Sequence, residues 1–281
     1  MTGDAARAGI EGATSRRIVR QAALTGGCVG DVRKVTLDDG RILVAKIGPG
    51  LEPEGFMLRH LAAHSPLPVP AVVHCADDLL LMDHVEAGDP LDAAAEAHAA
   101  QLLAALHAVG GERFGFPRDT VIGGLPQPNP STARWRDFFR DHRLLHMAGV
   151  AHAAGRLPAA TFHRIEALAG RLDRWIDEPD RPSLIHGDAW TGNILCRRGR
   201  VAAFVDPAIY YADPEIELAF GTLFGTFGPA FFRRYGELRP LRPGFFEVRR
   251  DLYNLYPLLV HVRLFGGGYV GQVEAILSRL S

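Results

Sequence analysis

His186-Gly187-Asp188-Ala189-Trp190-Thr191-Gly192-Asn193, followed by Val201-Ala202-Ala203-Phe204-Val205-Asp206, is the stretch on which the fold turns. An Asp and an Asn with four residues between them, in a loop between the apolar runs 184–185 and 194–196, bring a carboxylate and an amide oxygen to one place. That pair suits chemistry in which a carboxylate accepts a hydroxyl proton while hard oxygen donors hold a divalent cation. The second apolar run ends in Asp206 and supplies a further carboxylate to the cation. Asp188 is thus the candidate base, with Asn193 and Asp206 as candidate Mg²⁺ ligands.

Upstream, three more elements fall in a compatible order. Val44-Ala45-Lys46 lies on an expected strand over 42–47, paired with 32–37 through the turn Asp38-Asp39-Gly40. In kinases a strand lysine reaches the nucleotide phosphates and is held by a helix glutamate. Here Glu54 opens a helix expected over 54–63, and Glu52 is the less favoured partner. Thr25-Gly26-Gly27-Cys28-Val29-Gly30 precedes the first strand. Its glycines let backbone N–H groups approach phosphate, so Gly26, Gly27 and Cys28 are candidate nucleotide contacts. No Gly-Lys-Ser/Thr follows, so it is not a Walker loop. The run Leu79-Leu80-Leu81-Met82-Asp83-His84-Val85-Glu86 enters a break at Gly88-Asp89-Pro90, where Asp83, His84 and Val85 form a candidate adenine-binding hinge.

Beyond that break the pattern turns helical, over 92–109, 135–146, 161–176 and from 217 onward, with a Gly/Pro/Asn-rich loop expected over 123–131. The fold class is therefore α+β, with a small β-rich N-lobe and a larger helical C-lobe, an outline compatible with the two-lobed, protein-kinase-like fold that the motif order resembles. Residues 1–86 are expected to form the nucleotide-binding lobe and 87–281 the catalytic and substrate lobe. The chain has 281 residues, 47% of them hydrophobic, enough for a substantial core. Its 31 basic and 32 acidic residues exclude a globally basic nucleic-acid binder and an acidic disordered chain. No run approaches the length of a membrane span, and the acidic opening segment does not read as a secretory signal. Cys28, Cys75 and Cys196 are far apart and read as reduced thiols of a cytoplasmic protein.

The order of these motifs resembles that of the protein-kinase-like phosphotransferases, and the finer resemblance is to the fructosamine kinase (ketosamine-3-kinase) family, relatives of the aminoglycoside phosphotransferases. HGDAWTGNIL resembles that family's HGDLWSGN loop, and VDPAIYYADPEIELAF its FDPA-x-YYGHREADLAM stretch. LFGTFGPAFFRRY, FGF-x5-IG, Gln127-Pro128-Asn129 and LYNLYPLLVHVRLFGGGY are similar to further family signatures, so the likeness runs from Gly26 to Tyr269. It implies ATP-dependent phosphorylation of the 3-hydroxyl of ketosamines such as fructosamines and ribulosamines. The 3-phosphate is unstable and decomposes to regenerate the amine, which is deglycation. The implied cofactors are ATP and Mg²⁺. The implied partner is a small ketosamine or a glycated lysine on a protein, with no nucleic acid and no membrane. Trp190 is a candidate sugar platform, and His186 is expected to hold the loop backbone rather than do chemistry. Ala189, Glu217 and the turn GGCVGD depart from the usual Leu, Asp and GGC-x-N of the family.

Two other functions share parts of this pattern. An aminoglycoside or other small-alcohol phosphotransferase would use the same catalytic elements. A nucleotide-binding pseudokinase acting as an interaction module would need none of Lys46, Asp188, Asn193 and Asp206 together. A protein kinase is disfavoured, since only ten residues separate Asp206 from Glu217 and no Ala-Pro-Glu follows. Cys28, within a glycine turn that would favour a thiolate, is a candidate redox site and could link two chains in a redox-dependent homodimer.

Overall fold

In the computed structural model, which describes residues 3–24 and 31–280, strand β3 (Ile42–Ile47) shows how local sequence sets the architecture. Its side chains alternate with a period of two, so Leu43, Ala45 and Ile47 face one side while Val44 and Lys46 face the other. The antiparallel sheet runs in the order β1-β2-β3-β5-β4, with β1 (Ile18–Ala23), β2 (Asp31–Leu37), β4 (Val72–Cys75) and β5 (Leu79–Asp83). Helix α1 (Gly3–Thr14) covers the first face with Ala6 and Ile10, against Val35, Leu43 and Leu81. The second face packs Leu80 and Met82 against Leu51 and Leu58, the latter on α2 (Glu52–His64). Pro53 fits the first turn of α2, where a missing N–H costs nothing, and Glu52 and Glu54 sit at its positive end. That end points Glu54 at the face carrying Lys46.

The helical part is organised around α9 (Arg250–Phe265), whose residues Leu252 to Val260 are buried without interruption. Around it lie α7 (Glu215–Leu223), α5 (His146–Ala153) and α10 (Val270–Arg279). Helix α3 (Ala93–Leu106) starts at Asp92, whose carboxylate accepts the Ala95 N–H at 2.9 Å. It lies along α8 (Pro229–Leu238), where Phe231 is fully buried between the rings of Phe227 and Tyr235. Three small antiparallel pairs complete the scaffold. They are β6 (Thr120–Ile122) with β7 (Leu125–Gln127), β8 (Ser183–Ile185) with β11 (Tyr210–Ala212), and β9 (Ile194–Arg197) with β10 (Arg200–Phe204). No helix among the described residues is long and apolar enough to cross a membrane.

The local outline differs from expectation in four places. Helix α1 and strand β1 precede the glycine-rich segment, so the sheet begins with β1 ahead of that segment rather than with the strand over 32–37 after it. The expected loop over 123–131 contains β7, paired with β6 across Gly123 and Gly124, both at positive φ (55° and 78°). Three-residue strands are too short to show a period, but two left-handed residues are what a tight hairpin requires. The helix expected over 135–146 extends further, as α4 (Trp135–Phe139), a π-helical turn at Arg140–Leu145, and α5. The one expected over 161–176 spans only Ala159–Ala169 (α6) and stops at Gly170.

Phe231→Ala should cost about 3–5 kcal/mol, because the α3–α8 seam cannot close over the lost ring. Val19→Ala, at a residue 63% exposed, should stay within about 0.5 kcal/mol. Equilibrium denaturation measures both, and a Phe231→Ala loss below 1 kcal/mol would contradict this packing.

Candidate active site

Lys46 is the point where sheet, helix and loop meet. Its Nζ donates to Glu54 Oε1 at 2.7 Å and to Asp206 Oδ1 at 2.5 Å. The lysine is 7% exposed, so the ammonium depends on those carboxylates for its solvation. Burial alone would pull its pKa down, but the charges of Glu54 and Asp206 overcome this and the net shift is upward. Glu54 is raised by its own burial and by Asp206, against the pull of Lys46. Glu52 points elsewhere, to a bidentate pair with Arg118 at 3.0 and 2.7 Å.

The loop between β8 and β9 supplies the rest. Asn193 Nδ2 donates to the backbone oxygen and to Oδ2 of Asp188, both at 2.9 Å, which leaves its amide oxygen for another partner. Asp188 has its pKa pushed up to about 7 by burial first and by the Asp206 charge second, with the Asn193 hydrogen bond opposing. The loop backbone is fixed from below by Glu217 of α7, whose carboxylate accepts the N–H of His186 at 3.2 Å and of Gly187 at 2.7 Å. Glu217 also accepts from His107 Nε2 at 2.8 Å, and His107 Nδ1 pairs with the Tyr235 hydroxyl at 2.7 Å. Burial would raise the Glu217 pKa, but these donors hold it below the usual value. Where the family often has Asp, the longer Glu217 reaches two backbone amides and a buried imidazole.

Two loops cross at Gly187. The Ala208 N–H donates to the His186 carbonyl at 2.8 Å, and a Cβ on Gly187 would lie 2.1 Å from the Ala208 oxygen. With φ at +83°, only glycine fits there. Asp206 itself holds φ at +55°, a conformation that L side chains seldom adopt and that collects at functional sites. His186 is fully buried, its pKa lowered by that burial, and its Nδ1 accepts the Asp188 N–H at 3.3 Å, in keeping with a loop-holding role. Ala189 is buried against the core.

Lys46, Glu54, Asp188, Trp190, Asn193 and Asp206 all line one cavity of about 390 Å³ between the sheet and the helical part. Asp206 and Asn193 offer hard oxygen donors, as a divalent cation that keeps waters and phosphate oxygens would need. Asp83, His84 and Val85 do not line that cavity. Asp83 ends β5 exposed, and the His84 N–H is taken by the Ile42 carbonyl at 3.2 Å. His84 faces a separate depression with Lys34, Glu86 and Arg197. Gly26, Gly27 and Cys28 lie outside the described residues.

The sequence motif Gln127-Pro128-Asn129 carried no role until its partners were known. Gln127 Nε2 donates to the Ala208 carbonyl at 3.1 Å, and its Oε1 accepts from the Tyr256 hydroxyl at 2.7 Å. Asn129 Oδ1 accepts from Arg143 at 2.5 Å, and the Pro128 carbonyl accepts from the same guanidinium at 2.8 Å. Arg143 is fully buried, on the π-helical turn, and stacks 3.8 Å from the Tyr210 ring centroid. This network ties β7, α9 and the Asp206–Ala208 segment into one support. No spacing rule connects residues 127, 143, 208 and 256, so only the fold reveals it.

A carboxyl whose pKa is raised on folding binds its proton more tightly in the native chain. Its contribution to stability is present at low pH and is lost as pH rises from about 4 to about 7. In metal-free protein, Asp188→Asn should therefore raise Tm at pH 8 by at least about 3 °C, with the gain shrinking toward pH 4.5. Equal gains at both pH values in differential scanning calorimetry would refute a desolvated carboxylate at this position.

A family model described as fructosamine kinase matches residues 6–281. A candidate ketoamine kinase of Synechocystis is 42% identical over 183 residues, covering 64% of this chain and 60% of its own length. The match thus spans less than two thirds of that relative. A chloroplastic protein-ribulosamine 3-kinase of Oryza sativa subsp. indica is 30% identical over 275 residues, covering 93% of this chain and 79% of the relative. Among solved structures, a candidate fructosamine-3-kinase from Thermobifida fusca YX-ER1 superposes with a TM-score of 0.85 at 30% identity, over 99% of this chain and 100% of that one. By sequence and by fold, the chain belongs to the fructosamine kinase family.

Proposed function

We propose that this chain is an ATP-dependent ketosamine-3-kinase that phosphorylates the 3-hydroxyl of fructosamines or ribulosamines and so serves deglycation. One observation carries the reading above the others: Lys46 is held between Glu54 and Asp206 in the cavity that Asp188 and Asn193 also line. A scaffold that only bound nucleotide would have no use for a base whose pKa lies near the working pH. We assign residues 1–86 to the nucleotide lobe and 87–281 to the catalytic and substrate lobe. The hinge contacts of Asp83, His84 and Val85 and the phosphate contacts of Gly26, Gly27 and Cys28 belong to the same proposal, as does a cytoplasmic location.

In the reaction the substrate 3-oxygen attacks the γ-phosphorus, the bond from phosphorus to the ADP oxygen breaks, and the hydroxyl proton passes to Asp188. Asn193 orients Asp188 through its amide N–H. Lys46, kept charged by its two carboxylates, meets the nucleotide phosphates, and Glu54 stops it from swinging away. Asn193 Oδ1 and Asp206 would hold Mg²⁺, whose charge offsets that developing on the phosphoryl oxygens. Trp190 offers a ring face to the C–H face of the sugar.

Asp188→Asn should lower turnover by roughly 10²–10⁴ with Mg·ATP affinity nearly intact. Lys46→Met should weaken nucleotide binding and turnover together. An ATP-consumption assay with a ribulosamine, a fructosamine, the parent sugars and an aminoglycoside tests the assignment as a whole. Ketosamines should exceed their parent sugars by at least about 10-fold in kcat/KM. A higher kcat/KM for the aminoglycoside would make this a small-alcohol phosphotransferase, and Mg·ATP binding with no turnover would make it a pseudokinase. A redox-dependent homodimer through Cys28 should appear as a diamide-induced band on a non-reducing gel that Cys28→Ala removes.

A further inference from the structure

The catalytic residues occupy only one end of the cavity. All four carboxylates on its lining, Glu54, Asp188, Asp206 and Glu217, lie with Lys46 at that end, linked by the bonds and charges described above. Leading away from Asp188, the lining becomes a chain of rings. Trp190 meets Phe224 edge to face at 6.3 Å, and Phe224 meets His261 at 4.9 Å. His261 then meets Tyr269 at 5.0 Å and Phe265 at 5.5 Å. His261 and Phe265 are one turn apart on α9, and Phe224 ends α7, so three elements converge on this wall. The hairpin turn of β6–β7 closes the other side, with Gly123 so near Leu264 that a Cβ would approach its side chain to 2.9 Å.

The wall is open and uncharged. Phe224 is 38% and Phe265 53% exposed, and both border the cavity that Asp188 lines. His261 Nδ1 donates to the Pro257 carbonyl at 2.8 Å, and burial keeps its pKa low, so its ring is neutral at physiological pH. The lining offers a carboxylate here no cation, since Lys46 sits at the other end and the Arg156 guanidinium lies against Gly266 outside the lining, whereas an apolar or aromatic group would gain ring contact. A protonated secondary amine could also rest on the ring faces.

We propose that the Phe224–His261–Phe265–Tyr269 wall is the subsite for the nitrogen substituent of the substrate, and that it selects ketosamines of apolar or aromatic amines over those of anionic amino acids. The proposal rests on the ketosamine reading above. With the 3-hydroxyl at Asp188 and the sugar on Trp190, the substituent on the C1 nitrogen extends past Trp190 to Phe224.

Two ketosamines of ribulose, one made with benzylamine and one with glycine, test this with the full-length enzyme. The benzylamine compound should be favoured by at least about 10-fold in kcat/KM. Phe265→Ala and Phe224→Ala, both at partly exposed positions, should each cut that ratio about 5-fold, mainly through KM for the benzylamine compound. A ratio within 2-fold in the parent enzyme, or variants that lower both substrates equally, overturns the subsite while leaving the ketosamine reading standing. No turnover of either compound, with Mg·ATP binding intact by calorimetry, fails the ketosamine reading itself and the subsite with it.

Discussion

The ammonium of Lys46 between Glu54 and Asp206 is the constraint on which the rest of the structure depends. It joins three segments: strand β3, the first turn of α2, and the loop that follows β10. Burying a lysine so deeply is costly unless partners of opposite charge are already in place. Those partners are fixed independently, Glu54 by the helix start and Asp206 by a left-handed backbone. The excess negative charge of one lysine against two carboxylates would be offset by the divalent cation proposed for this site. Asp188, a third carboxyl near Asp206, has its pKa pushed up to about 7 by burial first and by that negative charge second.

Support for this cluster comes in layers. Nearest are the crossing loops, where Gly187 and Ala208 touch through backbone atoms alone. Behind them Glu217 and Gln127 each bond one of the two crossing segments. Further back, His107 with Tyr235 holds Glu217, and Tyr256 with the Asn129–Arg143 pair encloses Gln127. Arg143 is held by carbonyl and amide oxygens and by aromatic faces, with no carboxylate among its described hydrogen-bond partners. A π-helical turn places it there, and such turns persist where a side chain must be aimed.

What could be read from the sequence divides along the range of the interactions involved. The strands expected over 32–37 and 42–47, the apolar run from Leu79 and the loop carrying Asp188 and Asn193 rest on local pattern, and the structure has them as β2, β3, β5 and the β8–β9 loop. Lys46 and Glu54 are eight residues apart, near enough for a strand and the following helix to imply their meeting. Lys46 and Asp206 are joined across 160 residues, and only the motif resemblance suggested they share a site. Gln127, Asn129, Arg143 and His107 were invisible as a unit, since each is an ordinary polar residue until folding brings its partner. The β6–β7 hairpin was missed because three-residue strands carry no period, although Gly123-Gly124 was the available signal.

The cavity's asymmetry follows from the same physics that built its supports. Desolvated carboxylates and a buried ammonium can be held only where the surrounding core is rigid enough to keep their partners in place, and here that core is α7, α9 and the crossing loops. At the far end α9 runs out at Gly266 with φ +84°, and a short turn at Gly267–Tyr269 replaces the helix. The rings there hold their positions by contact with one another, Phe224 with His261 and His261 with Phe265 and Tyr269. A charged end beside the crossing loops and a neutral aromatic end where α9 gives way to that turn thus divide one cavity into two chemically distinct regions.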